Sequence, residues 1–300
     1  MTLRVSAIGL ETTHGYIYPA MLNGYDPARL QANSIEHVWN IFPTGGAPSV
    51  DSDVRVVACF DPNRELAQQV AEACLVERVC DSLDEACQGV DGVLVLSGDA
   101  NVHLAQATPA LQAGIATFVD KPFAASDQDA RAIVDLAERF EAPLFCTSAL
   151  RFAPQTAALR DRLTTSVGTP LAAHSIGTGD YDSYAVHSLE ILFGLWGGGV
   201  ERVQSSGQSG FTTAQLDYTD GRRAIWQVCQ QMAWQFHLSV FGTAGMDETF
   251  VTFADRYSIF RATARQMAQF VATRHSPVPI AETLEIVGLL AAVHNAQRIS

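Results

Sequence analysis

The sequence predicts an α/β protein in two parts: an N-terminal domain around a parallel sheet, and a C-terminal α+β domain with a mostly antiparallel, open sheet. Short β-branched runs alternate with helical patterns from Leu3 to Ser148, as in parallel strands joined by crossover helices. After Leu150, runs of alternating polarity follow one another directly. With 300 residues, 48% of them hydrophobic, the chain is long enough for two cores. We therefore expect one domain over residues 1–150 and another over residues 151–300.

The first domain is expected to contain five buried strands with amphipathic helices between them. In one predicted helix Leu66, Val70 and Ala73 share a face, and in another Asp127 and Asp129 occupy the first turn, where carboxylates suit the helix dipole. The strands are predicted at Leu3–Ile8, Val54–Phe60, 92–96, 117–119 and 144–147, and these two helices at Arg64–Ala73 and 126–140.

Residues 23–53 interrupt this pattern. The segment is rich in Gly, Pro and Asn, whereas a compact unit needs only a few residues between a helix and the next strand. Trp39, Ile41 and Phe42 favour packing over disorder. Two interpretations stay open: a lid or an oligomer contact, or an insertion without a function of its own.

The second domain begins with a strand at 171–176 and an apolar helix at 184–196. Successive strands flanked by helices indicate an open sheet with one helical face. Trp226, Trp234 and Phe236 on these strands favour sheet or subunit packing over a platform for sugar stacking. The remaining strands are predicted at 202–206, 213–218, 224–230 and 235–241, and the closing helices at 259–274 and 281–298.

The charge balance argues against nucleic acid and membranes as partners. Nineteen Lys and Arg face 32 Asp and Glu, and the formal net charge of -13 repels phosphate backbones and anionic lipid. No apolar run approaches the roughly 18 residues of a membrane span, and no signal-peptide pattern precedes the first strand. The six cysteines and eight histidines show no metal-ligand spacing. We expect a cytoplasmic protein with reduced thiols and no metal.

Three strand ends in the first domain carry residues typical of a dinucleotide site. Gly9 follows the first strand, Asp61 ends the second, and Asp120-Lys121-Pro122 follows the fifth. In a Rossmann domain such a glycine lets the backbone approach the pyrophosphate, and such a carboxylate accepts hydrogen bonds from the adenosine ribose. Asp61 would repel a 2′-phosphate, and Arg64 is the one nearby cation that could hold it. The combination predicts NAD as cofactor, with NADP as second choice.

The run from Val54 to Pro122 resembles the Gfo/Idh/MocA (glucose-fructose oxidoreductase/inositol dehydrogenase) family. The resemblance rests on CFDPNRELAQQVAEA, SLDEACQGVDGVLVLSGDANVHLAQATPALQAG and ATFVDKP, the last matching the family's Glu-Lys-Pro with Asp in place of Glu. LRFAP at 150–154 and the helix around His187 extend it. It implies an NAD(P)-dependent dehydrogenase or reductase that moves a hydride between nicotinamide and a secondary alcohol of a sugar, cyclitol or polyol. We also expect a homodimer or homotetramer.

The resemblance assigns the chemistry to Lys121 and His187. Lys121 would lie beside the nicotinamide and the reacting hydroxyl, and His187 would accept the hydroxyl proton because imidazole titrates near neutrality. Since the two residues come from different domains, we expect them to converge in a cleft between the domains.

The helix that carries His187 also supplies the expected substrate contacts, Tyr184, Asp182 and Glu190. Glu190 lies one turn along from His187, where it would orient the ring or contact substrate. Ser183 stands where the family usually has Asp, so an orienting carboxylate would have to come from Asp180 or Asp182.

The first turn departs from the family's Gly-x-Gly-x-x-Gly. It has the sequence Gly9-Leu10-Glu11-Thr12-Thr13-His14-Gly15, so that Glu11 brings a carboxylate to the place where the backbone should meet the pyrophosphate. Thr12 or Thr13 would cap the following helix, Gly15 would serve as the third glycine, and His14 would meet phosphate or substrate. After the fourth strand, Ser97 and His103 match the ends of a family segment that contacts the dinucleotide.

Two other functions stay open. Glu11 and Ser183 favour a non-catalytic, ligand-sensing or regulatory member of the same fold, whereas Lys121 and His187 favour an enzyme. A glycoside-cleaving member that uses bound NAD transiently is an alternative among the enzymes.

Overall fold

The computed structural model describes residues 2–42, 45–48, 50–208 and 210–297. The chain divides into two compact units. The first comprises Met1–Thr147 and Arg256–Ile280, and the second comprises Ser148–Asp255 and Ala281–Ser300.

The first unit is built on a six-stranded parallel sheet, which confirms the predicted fold class. All of its strand pairs run parallel, in the order β3-β2-β1-β4-β5-β6. The chain order reverses between β1 and β4, and in sheets of this kind ligands bind at that reversal, beyond the carboxyl ends of the strands. The strands are β1 Leu3–Ile8, β2 Val54–Phe60, β3 Arg78–Val79, β4 Gly92–Val95, β5 Ala116–Val119 and β6 Leu144–Cys146.

Helices accompany this sheet because a parallel sheet is buried on both faces. One of them, α10, comes late in the chain and lies beyond the expected domain boundary, yet it packs on the first sheet through its apolar stripe. The Phe270 ring lies 5.4 Å from that of Phe145, and Val271 packs beside Gly92 in β4. The helices of the unit are α1 Thr13–Asn23, α2 Pro27–Asn33, α3 Glu36–Trp39, α4 Arg64–Ala73, α5 Leu83–Ala86, α6 His103–Gln112, α7 Asp127–Arg139 and α10 Arg256–Thr273.

The predicted insertion at 23–53 contains α2 and α3, and it is packed on the first unit. The Asn23 side chain holds β2 by donating to the Val56 carbonyl and accepting from the Val56 N–H, both at 2.8 Å. Leu30 and Val38 are buried, and Arg29 pairs with Glu72 in α4. The described residues of this segment are thus a folded part of the unit, and its role as a lid or an oligomer contact stays a prediction.

The second unit contains a mixed sheet in the order β12-β11-β7-β10-β9-β8, in which only β7 and β10 pair in parallel among the described strands. This confirms the predicted, mostly antiparallel second sheet. The strands are β7 Pro170–Thr178, β8 Val200–Gln208, β9 Phe211–Tyr218, β10 Arg223–Cys229, β11 Gln235–Gly242 and β12 Met246–Thr252. The helices are α8 Pro154–Val167, α9 Tyr181–Trp196 and α11 Ile280–Gln297, with 3-10 turns at Ala149–Phe152 and Phe253–Asp255.

Helix α9 covers one face of this sheet. Trp226 and Phe236, both fully buried, project toward it, and the Trp226 indole N–H donates to Ser188 in α9 at 2.8 Å. A Cβ at Gly177 in β7 would lie 2.9 Å from the Phe236 ring, so a glycine is needed for this close packing. The prediction that Trp226 and Phe236 serve packing is therefore confirmed.

Among the described residues, no helix is long and apolar enough to span a membrane. Within the same part of the chain, no group of three or more His, Cys, Asp or Glu is arranged to hold a metal ion. Cys59, Cys74, Cys80 and Cys146 are buried thiols. Burial raises the pKa of the Cys59 thiol to about 12, which makes it a poor nucleophile.

Candidate active site

The turn after β1 is set by close backbone packing. Gly9 has a φ of +72°, and a Cβ at this position would lie 2.8 Å from the Cβ of Ser97 at the end of β4. A Cβ at Gly15 would lie 2.5 Å from the carbonyl oxygen of Leu10. Only glycine fits at either position, so the turn and the start of α1 are held close against the point where the strand order reverses.

Asp61 is joined to this turn. Its carboxylate ends β2, is 7% exposed, and accepts hydrogen bonds from the Leu10 N–H at 2.7 Å and the Asn63 N–H at 2.8 Å. Each carboxylate oxygen keeps a second lone pair for a further donor. The structure therefore puts the expected ribose-binding carboxylate directly beside the glycine turn.

The amino end of α1 faces the same edge of the sheet. Thr12 caps the helix by accepting from the His14 N–H at 3.2 Å, and its hydroxyl donates to the Leu96 carbonyl at 3.1 Å. Thr13 is the first helical residue, and the first turn contains no acidic side chain. A helix start of this kind favours a bound anion through its unpaired N–H groups and its dipole.

Glu11 bridges the two sides of the strand reversal. Its carboxylate accepts hydrogen bonds from the Ser97 hydroxyl and from the Gly98 N–H, the latter at 2.8 Å. Sequence reasoning identified the misplaced charge but not its partners. Gly9, Gly15, Asp61 and the start of α1 fit a dinucleotide. Glu11 does not fit in the same way. Its side chain is exposed, and its negative charge would repel a pyrophosphate bound at the turn.

His103 connects two backbone segments of the site through its ring nitrogens. It is fully buried, and its ring nitrogens lie 2.9 Å from the Ser97 carbonyl oxygen and 3.1 Å from that of Phe123. The ring therefore ties the end of β4 to the segment after β5. This geometry favours a bracing role over the direct cofactor contact expected from the sequence.

The carboxyl end of β5 carries Asp120 and Lys121. Asp120 is 2% exposed, and it accepts a hydrogen bond from the Lys121 backbone N–H at 2.8 Å. Its other carboxylate oxygen contacts Nδ1 of His14. Burial alone would raise the pKa of Asp120, but the His14 ring and Lys121 outweigh burial and lower the pKa below its ordinary value. The peptide bond between Lys121 and Pro122 is cis.

In the second unit, the His187 ring in α9 is bound by a hydroxyl group. The ring is 7% exposed, and its Nδ1 lies 2.6 Å from the Ser148 hydroxyl oxygen. The Tyr184 ring lies 5.7 Å from the His187 ring and 4.8 Å from that of Trp234. Sequence reasoning missed Ser148 because it lies 39 residues away, with no local pattern that links it to α9.

The acidic side chains expected around His187 have other partners. Glu190 is 2% exposed and forms an ion pair with Arg151, which also binds Glu282 at 2.8 Å. Asp180 caps α9 by accepting from the Ser183 N–H at 2.9 Å. The Asp182 side chain is 81% exposed and lies 3.6 Å from Nδ1 of His294. Arg151 is a structural partner that the sequence did not reveal.

Comparison with known proteins supports the nucleotide-binding assignment. Residues 42–147 match the family model described as "Oxidoreductase family, NAD-binding Rossmann fold". YceM of Salmonella typhimurium, provisionally named an oxidoreductase, is 32% identical over 147 residues, which cover 46% of this chain and 47% of that protein. The matched segment thus spans about half the length of this relative.

Solved structures share the fold along almost the whole chain. Myo-inositol 2-dehydrogenase from Lactobacillus plantarum is 14% identical with a TM-score of 0.78, covering 100% of this chain and 98% of that one. Scyllo-inositol dehydrogenase from Lactobacillus casei, solved with NAD(H) and scyllo-inositol, is 13% identical with a TM-score of 0.77, covering 99% and 97%. At these identities the likeness shows the fold. The family match, in turn, is confined to residues 42–147, within the parallel-sheet unit.

Proposed function

We propose that the protein is an NAD-dependent oxidoreductase that moves a hydride between nicotinamide and a secondary alcohol carbon. The observation that carries this proposal is the Gly9 turn, hydrogen-bonded to Asp61 and lying at the same sheet edge as Lys121. At this edge, where the parallel strands have their carboxyl ends, Gly9 would let the backbone approach the pyrophosphate and Asp61 would accept hydrogen bonds from the ribose. Lys121 adds a positive charge.

The cofactor preference follows from the surroundings of Asp61. The buried carboxylate accepts from a free 2′-hydroxyl but repels a 2′-phosphate. Arg64, the cation that could neutralise such a phosphate, forms an ion pair with Asp81. Both features favour NAD over NADP.

Bound NAD would supply the hydride acceptor, and the chain would handle the alcohol oxygen. Lys121 as an ammonium stabilises the oxygen as its carbon loses the hydride. His187 is the proton acceptor that the family resemblance suggests, with its ring held by Ser148.

The substrate class we propose is a cyclitol, sugar or related polyol. Among the expected contacts, Tyr184 is partly exposed, and its ring lies 5.7 Å from the His187 ring. An aromatic ring at this position suits the C–H face of a polyol ring. Asp182 offers an exposed carboxylate in the first turn of the same helix. Glu190 is bound to Arg151, so it supports the helix more directly than it serves a ligand.

We also propose a homo-oligomer, with the uncovered face of the second sheet as its contact. Strand register places Ile225, Phe241, Met246 and Phe250 on that face, and each is at least 38% exposed in the isolated chain. Exposed apolar patches of this kind mark interaction surfaces. A dimer or a tetramer would cover it.

One observation favours a second candidate function. The Glu11 carboxylate takes the Ser97 and Gly98 donors at the strand reversal, which would weaken dinucleotide binding and suit a ligand-sensing or regulatory protein. The glycoside-cleaving alternative, which uses NAD transiently, requires the same cofactor site as the dehydrogenase.

Fluorescence titration with NADH and NADPH separates these functions. We expect NADH to bind more tightly than NADPH, and NAD+ to be reduced in the presence of myo-inositol, scyllo-inositol or a panel of sugars. Protein that binds neither dinucleotide would overturn the oxidoreductase proposal and favour the sensor. NADH binding with glycoside cleavage and no net NAD+ reduction would identify the third function.

A further inference from the structure

Trp234 lies at the surface of the second unit, unlike the two aromatic residues that were expected to share its packing role. Trp226 and Phe236 are fully buried, whereas 54% of Trp234 is exposed. Trp234 is also the most exposed of the four tryptophans, since Trp196 is 5% exposed and Trp39 is only partly exposed. Packing within the unit therefore does not account for the exposed part of this indole.

A closed circuit of five aromatic rings joins Trp234 to His187. The centre of the Tyr184 ring lies 4.8 Å from that of Trp234 and 5.7 Å from that of His187. On the other side, the Phe253 ring lies 6.1 Å from the Trp234 ring and 6.0 Å from the Phe236 ring. The Phe236 ring lies 5.6 Å from the His187 ring. All five residues belong to the second unit, so the exposed indole and the expected catalytic histidine are parts of one aromatic cluster.

The backbone fixes the positions of Tyr184 and Trp234. Gly179 has a φ of +89°, and a Cβ at this position would lie 2.6 Å from the Tyr184 ring, so a glycine is required for the ring to pack here. Trp234 directly precedes β11, and the turn before it is held by the Thr178 hydroxyl, which donates to the Met232 carbonyl at 2.7 Å. Both rings therefore lie at the carboxyl end of β7.

The geometry of the two rings leaves surface for a ligand. The Trp234 and Tyr184 rings meet edge to face, at 74°, and such a contact covers one face of one ring. The face of an aromatic ring is electrically negative and attracts the weakly positive hydrogens of C–H groups. In a cyclic polyol with equatorial hydroxyls, the hydroxyls point outward and both faces of the ring carry C–H bonds. Such a ring can stack on the exposed indole and keep its hydroxyls free for hydrogen bonds.

The charged side chains next to Tyr184 along the chain are negative. Asp182, whose side chain is 81% exposed, lies in the first turn of α9, and Asp180 caps that helix. Carboxylates accept hydrogen bonds from hydroxyl groups and repel other anions. A neutral polyol therefore suits this surface better than a sugar acid or a sugar phosphate.

We propose that Trp234 is the platform on which a cyclic polyol stacks, and that it selects ring-shaped substrates over open-chain ones. An open-chain polyol presents no rigid face of C–H bonds and loses more rotational freedom on binding. This role rests on the proposed function and names the shape of its substrate. Because the stacked indole binds the ring without touching the reacting bond, loss of Trp234 should raise KM for a cyclic polyol and change kcat little.

Calorimetric titration of the full-length protein with scyllo-inositol and with the open-chain polyol sorbitol, each with and without NADH, tests this selection. Trp234→Ala should weaken scyllo-inositol binding roughly 5–10-fold and leave sorbitol binding unchanged. Trp234→Phe should retain most of the affinity, because a phenyl face stacks in the same way. Leu171→Ala is the matched control, since Leu171 is also 54% exposed but lies near the start of β7. It should bind both polyols as wild type does.

Tryptophan fluorescence locates the bound polyol. Scyllo-inositol should protect the wild-type protein from quenching by acrylamide, because Trp234 is its most exposed tryptophan, and Trp234→Phe should remove this protection. Urea unfolding and light scattering of Trp234→Ala should match wild type. A role of Trp234 in packing would lower the unfolding midpoint instead, and a role in subunit contact would lower the mass.

The possible outcomes separate this role from the proposed function. In Trp234→Ala, equal weakening of both polyols, unchanged scyllo-inositol binding, a lower unfolding midpoint or a lower mass would each overturn the platform role. A wild type that binds NADH but no scyllo-inositol would overturn the platform and leave the dinucleotide site intact. Scyllo-inositol binding that depends on Trp234, without any NADH binding, would retain the platform and overturn the oxidoreductase. Binding of neither ligand would overturn both.

Discussion

The Glu11 carboxylate accepts a hydrogen bond from the Gly98 N–H at 2.8 Å and thereby links the turn after β1 to the end of β4. These two segments flank the strand reversal where a dinucleotide pyrophosphate would lie. The Glu11 carboxylate thus lies beside the proposed site of the pyrophosphate, which is also negatively charged. The affinity for a dinucleotide should therefore depend on the Glu11 side chain.

Glu11→Gln should strengthen NADH binding. The amide keeps an oxygen acceptor for the Ser97 hydroxyl and the Gly98 N–H but removes the charge that opposes the pyrophosphate. One charge interaction near a protein surface is worth on the order of 1 kcal/mol, so we expect a dissociation constant roughly 3–10-fold lower by fluorescence titration at low salt. Glu138→Gln, an exposed carboxylate on α7, should change nothing. Weaker binding by Glu11→Gln would show that the charge supports the turn.

Asp61→Ala should reduce the preference for NADH over NADPH and also destabilise the first unit. The substitution removes a ribose acceptor and leaves the buried Leu10 N–H without its carboxylate partner, which costs about 1–3 kcal/mol. Titration with both dinucleotides and urea unfolding measure the two effects. Asp81→Asn, which releases Arg64 from its ion pair, should leave NADH binding unchanged. An unaltered ratio of NADH to NADPH affinity in Asp61→Ala would refute its role at the ribose.

Asp120→Asn should destabilise the protein at pH 7 and lose this effect in acid. The folded state lowers the pKa of Asp120, so the carboxylate contributes stability above its unfolded pKa, and this contribution disappears as pH falls through the lower folded value. Urea unfolding at pH 7 and below about pH 4 should show a difference from wild type that shrinks with acidity. A constant difference at both pH values would mean that the substitution acts through packing.

Arg151→Met should unfold the second unit more readily, because it leaves the nearly buried Glu190 and the partly buried Glu282 without their cation. Breaking a buried ion pair from one side costs about 3–5 kcal/mol. Arg131→Gln is the matched control, since Arg131 and Asp127 form an exposed i,i+4 pair on α7, and exposed ion pairs contribute little to stability. Chemical denaturation of both variants makes the comparison. Equal denaturation midpoints for Arg151→Met and Arg131→Gln would show that the carboxylates of Glu190 and Glu282 find other partners.

Phe250→Glu should dissociate the proposed oligomer, because it places a charge on the uncovered apolar face of the second sheet. Light scattering after size exclusion reports the mass. Ile35→Glu, at a side chain 63% exposed in the insertion, tests the other expected contact. Dissociation by Ile35→Glu alone would make the insertion the oligomer contact. A monomeric wild type would rule out both surfaces.

Much of the fold is predictable because hydrophobic periodicity is a local property. Leu3–Ile8 and Val54–Phe60 form strands with the predicted bounds, and Arg64–Ala73 forms the predicted helix. The two-residue strand Arg78–Val79 was missed because so short a run has no periodicity. Helix α10 was expected beyond the domain boundary, and the sequence does not show that its apolar stripe packs on the first sheet rather than the second.

The sequence alone determined the parallel sheet, the glycine turn and the carboxylate at the end of β2, because each depends on residue types at short spacing. The tertiary structure decided the partners: Asp120 for His14 across 106 residues, Ser148 for His187, and Arg151 for Glu190. Such pairs join side chains that meet only after the strands are in register. Which side chain pairs with which is therefore a property of the folded chain.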